Sequence, residues 1–122
     1  MMTVNPPQGD RPYAVMRVQG KLTEQDYEAT MPQLEEAIRR AGKLRLLITL
    51  SDFHGWTPSA LMDDLKFDMR HRKDFDRMAI VGEKTWQKLG TKISAPFFGG
   101  EVRWFDQEEP ARDWLEEIGA RP

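Results

Sequence analysis

The chain has 122 residues, no cysteine and a formal net charge of -2, from 18 basic and 20 acidic side chains. These values fit one soluble domain over residues 1–122, and they exclude a disulfide scaffold, a cysteine nucleophile and a thiolate zinc site. The charge balance argues against nucleic-acid binding, and the lack of a signal peptide or a membrane-spanning run makes the cytoplasm the expected location.

Residues 1–42 predict a strand followed by a helix. The Pro- and Gly-rich start leaves two alternatives open for residues 1–12, an added edge strand and a flexible terminus. The β-branched run Tyr13–Gln19 predicts a strand that ends at Gly20.

The next segment has a helical signature. Thr23 and Asp26 have the spacing of a capping box, and Gly42 is suited to the helix end. The apolar stripe that repeats at helical spacing is Tyr27, Met31, Leu34, Ile38 and Ala41. Because Pro32 lacks the N–H that an unbroken helix needs, we expect a kink or a helix that restarts there.

The second half of the chain alternates in the same way. The nearly continuous apolar run Leu44–Leu50 predicts a central strand, and a loop at 51–58 with large side chains follows it. The next elements are a helix at 59–72, a strand at 77–81, a helix at 84–94, an apolar loop at 95–100 and a strand at 101–105. A last helix follows, with a predicted capping box from Asp106 to Glu109 and a predicted end at Gly119.

The resulting order, β-α-β-α-β-α-β-α with an optional N-terminal edge strand, indicates an α/β fold with a largely parallel sheet. Ligands of open α/β sheets bind outside the carboxyl ends of the strands. That rule points to the 51–58 loop, the Gly82-Glu83 turn, residues 19–23 and residues 105–107.

Enzymatic chemistry has little support in the sequence. His54 and Asp52 could form a general-base pair, but shaping of the loop is the better interpretation. Carboxylates and a histidine share one helix at Asp63, Asp64, Asp68 and His71, where a solvated face is a better interpretation than a metal site. Phosphate-binding glycine motifs are absent. We therefore expect a non-catalytic chain without a metal or cofactor.

An apolar binding site has better support. Phe67 lies almost opposite the apolar arc of its helix, which is formed by Leu61, Met62, Leu65 and Met69. This placement fits a ligand pocket, a subunit contact in a homodimer, or packing under a loop. Phe53, Trp56 and Met62 would suit such a pocket because aromatic and thioether side chains adapt to varied apolar ligands.

A basic amphipathic segment follows later in the chain. Lys84, Lys88 and Lys92 repeat every four residues, and Phe97 and Phe98 come directly afterwards. This pattern occurs in segments that rest on anionic membranes, although a solvated stripe on a helix that covers the sheet explains it as well.

Several stretches together resemble the SpoIIAA-like family of the STAS superfamily, over about residues 13–118. The most specific is Phe53-His54-Gly55-Trp56-Thr57-Pro58; the others include Gly20-Lys21-Leu22-Thr23, Asp64-Leu65-Lys66-Phe67, Arg77-Met78-Ala79-Ile80-Val81-Gly82 and Val102-Arg103-Trp104-Phe105. The resemblance implies the STAS fold, a small and mostly parallel sheet flanked by helices.

The resemblance also implies two functions. In anti-anti-sigma STAS proteins a partner kinase phosphorylates a serine, whose Asp-Ser-Ser-Gly context falls on Thr57-Pro58-Ser59-Ala60 here. The SpoIIAA-like group is also similar to lipid-carrier domains with a movable helix over an apolar cavity.

The leading prediction is a non-catalytic STAS-like domain that binds a hydrophobic or amphipathic small molecule, with peripheral contact at the inner membrane surface. Its ligand-binding residues would be Phe53, His54, Trp56, Met62 and Phe67, and its membrane contacts would be Lys84, Lys88, Lys92, Phe97 and Phe98. The alternative is a protein-interaction module of the anti-sigma-factor-antagonist type, switched by phosphorylation of Ser59.

Overall fold

The computed structural model describes residues 1–60, 62, 66, 70, 73–82 and 101–117. Its strands are β1 (Met2–Asn5), β2 (Ala14–Leu22), β3 (Leu44–Trp56), β4 (Phe75–Val81) and β5 (Glu101–Phe105). The first helix, α1, spans Glu24–Ala41; the second, α2, is helical at residues 58–60, 62, 66 and 70; the helix after β5, called α3, spans Glu108–Glu116.

The strands form one sheet in the order β1-β2-β3-β4-β5. The first pair is antiparallel and the other three pairs are parallel, with Ala14 opposite Leu46 and Leu46 opposite Met78. The predicted α/β fold with a mostly parallel sheet is confirmed. Of the two alternatives for residues 1–12, the structure has the edge strand, which pairs Met2 with Val18.

The two faces of the sheet carry separate hydrophobic clusters, because side chains alternate along each strand. The α1-side cluster includes Met16, Val18, Leu34, Ile38, Leu46, Ala60, Phe75 and Ile80. The α3-side cluster consists of Tyr13, Val15, Leu47, Ala79, Ala111, Trp114 and Leu115, with Val81 and Phe105 packed against it. Helix α1 and the first turn of α2 therefore pack on one face, and α3 packs on the other.

Helix α1 begins as the sequence predicts. Thr23 is its N-cap, Asp26 completes the capping box, and the N–H of Gly42 closes the helix by donating to the carbonyl of Ile38. The helix runs through Pro32 without interruption, so the predicted restart is wrong, and a kink within it stays a prediction. Pro32 lies on the exposed side of the helix.

The predicted loop at 51–58 is wrong for most of its length, because β3 continues to Trp56. Three consecutive residues of β2 pair with Ser51, Phe53 and Gly55 of β3. Asp52 and His54 are therefore extra residues in β3, and they form a double β-bulge. Asp52 has a φ of 50°, a left-handed conformation that Asp adopts more readily than most residues.

The predicted capping box at the last helix is also wrong. The N-cap of α3 is Gln107, and its side chain makes no capping hydrogen bond. Strand β5 ends at Phe105 and Asp106 lies in a bend, so its carboxylate is one residue too early to cap α3. The predicted end at Gly119 lies outside the described residues.

Candidate functional site

The carboxyl ends of β2 and β3 lie side by side and each leads directly into a helix. The two chains are joined there by a hydrogen bond of 2.9 Å, in which the backbone N–H of Thr57 donates to the carbonyl of Leu22. This bond holds the N-termini of α1 and α2 next to each other. The arrangement follows from parallel pairing of the two strands, which ends both at the same edge of the sheet.

A threonine caps each of these helix N-termini. The hydroxyl of Thr23 accepts from the backbone N–H of Asp26 at 3.3 Å, and the hydroxyl of Thr57 accepts from the backbone N–H of Ala60 at the same distance. Pro58 follows Thr57 as the first helical residue, a position where its missing N–H costs nothing. Ser59 is therefore the second residue of α2.

An open crevice of about 450 Å³ lies between the two helix starts. The residues that line it are Thr23, Glu24, Gln25, Glu28, Thr57 and Ser59. Every one of these side chains is polar, and the charged ones, Glu24 and Glu28, are both carboxylates. The described wall of the crevice is therefore suited to hydrogen bonding and to cationic groups rather than to an apolar ligand.

Asp26 fixes the α1 side of the crevice. Partial burial raises the pKa of its carboxyl, but hydrogen bonds from the backbone N–H and the hydroxyl of Thr23 outweigh burial and lower the pKa below the usual 3.8. The amino group of Met1, 3.7 Å away, acts in the same direction. Asp26 is therefore ionised at neutral pH, and it holds Thr23 in place.

The structure brings Ser59 into the crevice. Its side chain is exposed at the start of α2, where backbone N–H groups and the helix dipole favour a negative group. The predicted phosphorylation candidate is thus accessible, while its phosphorylation stays a prediction.

The double bulge places Asp52 and His54 outside the crevice. Both side chains are mostly exposed, and His54 Nε2 lies 3.4 Å from Asp52 Oδ1. Their pairing fits the interpretation that they shape this part of the chain. A catalytic general base normally lies in an enclosed pocket, whereas both side chains of this pair are exposed to solvent.

The other predicted ligand-binding residues are not gathered around one described cavity. Phe53 is partly buried and packs against the α1-side cluster, whereas Met62 exposes 53% of its surface. Trp56 is the last residue of β3. Phe67 and the predicted membrane contacts Lys84, Lys88, Lys92, Phe97 and Phe98 lie outside the described residues.

Metal-ligating side chains do not cluster in the described ranges, where no three His, Asp or Glu residues are close enough to hold an ion. Asp63, Asp64, Asp68 and His71 lie outside those ranges. None of the helices that the structure describes combines the length and apolar composition needed to cross a bilayer.

The sequence does not single out Glu24, Gln25 or Glu28 as lining residues, and it indicates Thr57 only as part of the 51–58 segment. A signal for Thr57 was present, because Thr-Pro before a helical pattern is typical of an N-cap followed by the first helical residue. Glu24, Gln25 and Glu28 carry no comparable signal, since exposed polar residues are expected at the start of any surface helix.

The comparisons with known proteins agree with this architecture. The SpoIIAA-like family model matches residues 13–116. The chain belongs to the SpoIIAA-like family. The match includes both strand ends and both helix starts of the crevice.

A solved structure is similar over almost the whole chain. It is the crystal structure of an uncharacterized protein of the DUF3478 family from Shewanella loihica PV-4, with a SpoIIAA-like fold. The two chains are 33% identical, 93% of each is covered, and the TM-score is 0.80. A search of curated proteins finds no match to this chain. Membership in the SpoIIAA-like family and its STAS-type fold favours a non-catalytic domain.

Proposed function

We propose that this SpoIIAA-like protein is a non-catalytic interaction domain that binds a protein partner at the crevice between the α1 and α2 starts, and that Ser59 is its regulatory hydroxyl. The observation that supports this function best is the position of Ser59, exposed in a polar crevice at the second residue of a helix. Related anti-anti-sigma proteins carry their phosphorylated serine in the corresponding stretch.

Phosphorylation at this position would have a definite electrostatic effect. A phosphoserine carries close to two negative charges at neutral pH. The start of α2 would stabilise those charges, while the carboxylates of Glu24 and Glu28 across the crevice would repel them. Modification of Ser59 would thus change the charge of the binding surface without disturbing either hydrophobic cluster.

Incubation with ATP and serine kinases of the anti-sigma-factor class, followed by intact-mass measurement, tests this function. We expect the mass gain of one phosphate on the wild-type protein and none on Ser59→Ala. The matched control is Ser51→Ala, which removes another exposed serine near the end of β3 and should leave phosphorylation unchanged. Equal modification of wild type and Ser59→Ala, or no modification by any of these kinases, would contradict the regulatory role.

A second candidate function is binding of a hydrophobic or amphipathic small molecule. It is favoured by the exposed thioether of Met62 on α2, close in sequence to the partly buried Phe53. A thioether side chain such as that of Met62 adapts to varied apolar ligands. For this function, Trp56 and Phe67 stay predicted ligand-binding residues, and the lysines and phenylalanines stay predicted membrane contacts. Saturable binding of a seven-carbon alkane or ketone tests this function.

A further inference from the structure

We draw no further inference here: the strongest candidate, the pair of exposed carboxylates that Glu24 and Glu28 place on the α1 side of the crevice, belongs to the site already described, and no second observation among the described residues points to a ligand that would pair with it.

Discussion

Asp26 shows how one carboxylate organises the start of α1. Its side chain accepts from the backbone N–H of Thr23 at 2.9 Å and from the hydroxyl of the same residue at 3.0 Å, while its own N–H donates to that hydroxyl. All three contacts are local in sequence. This is why the capping box could be predicted from residue spacing alone, before any tertiary contact was known.

The lowered pKa of Asp26 predicts a pH-dependent contribution to stability. Because the pKa of the folded state lies below the usual 3.8, ionised Asp26 stabilises the fold above pH 3.8, and the effect is lost as the pH falls through the lowered folded value. Asp26→Asn should therefore lower the free energy of unfolding by about 1 kcal/mol at neutral pH, and by progressively less below pH 3.8. Urea unfolding across this pH range measures the difference.

The matched control is Asp106→Asn, since Asp106 has the same sequence spacing to Glu109 but does not cap α3. Its substitution should leave the free energy of unfolding almost unchanged at neutral and at acidic pH. A loss in Asp26→Asn that is equal at neutral and acidic pH would show that the carboxylate charge does not stabilise the helix start.

At the scale of the elements, α3 depends on the sheet for its C-terminal cap. Arg77 on β4 donates to the carbonyl of Trp114 at 2.7 Å and lies over its ring at 4.9 Å, and Arg45 on β3 donates to the carbonyls of Leu115 and Glu117. The last carbonyls of a helix have no partner within the helix. Two arginines from adjacent strands supply the donors.

Arg77 is also buried, with 9% of its surface exposed. We predict that Arg77→Met lowers the free energy of unfolding by about 2 kcal/mol, because it leaves the carbonyl of Trp114 without its charged donor while keeping most of the side-chain volume. Chemical denaturation measures this loss.

The control for Arg77→Met is Arg39→Met. Arg39 is exposed on α1 and pairs only with Glu36 among the described residues, so its loss should have little effect on stability. Similar losses in the two variants would mean that Arg77 contributes no more than a surface ion pair.

The elements differ in how well the sequence predicts them. Helix α1 and β4 follow regular periodicity and were predicted. The continuation of β3 through Asp52 and His54 was not, because two extra residues break the alternation of period two and look like a loop. The sequence indicated four strand ends as candidate binding regions, and the crevice lies at two of them, the ends of β2 and β3. Its walls depend on the bond from Thr57 to Leu22, a tertiary contact that no local pattern encodes.

At the scale of the whole molecule, the sheet couples the two hydrophobic clusters, because the same strands contribute side chains to both. Leu46 and Leu47 are adjacent on β3, yet they belong to opposite clusters, and β2 and β4 divide their side chains in the same way. A strand that lost its packing on one face would also lose its position on the other. The two faces should therefore unfold together, as expected for a single domain over residues 1–122.

Leu34→Ala and Leu47→Ala test this cooperativity, since each removes one fully buried side chain from a different cluster. Each should lower the free energy of unfolding by about 3 kcal/mol. In urea, tryptophan fluorescence and far-UV circular dichroism should give coincident single transitions for both variants, with the same dependence on denaturant as the wild type. If the fluorescence and circular dichroism transitions of Leu47→Ala fell at different urea concentrations while those of Leu34→Ala coincided, the two faces would unfold separately and the sheet would not couple the clusters.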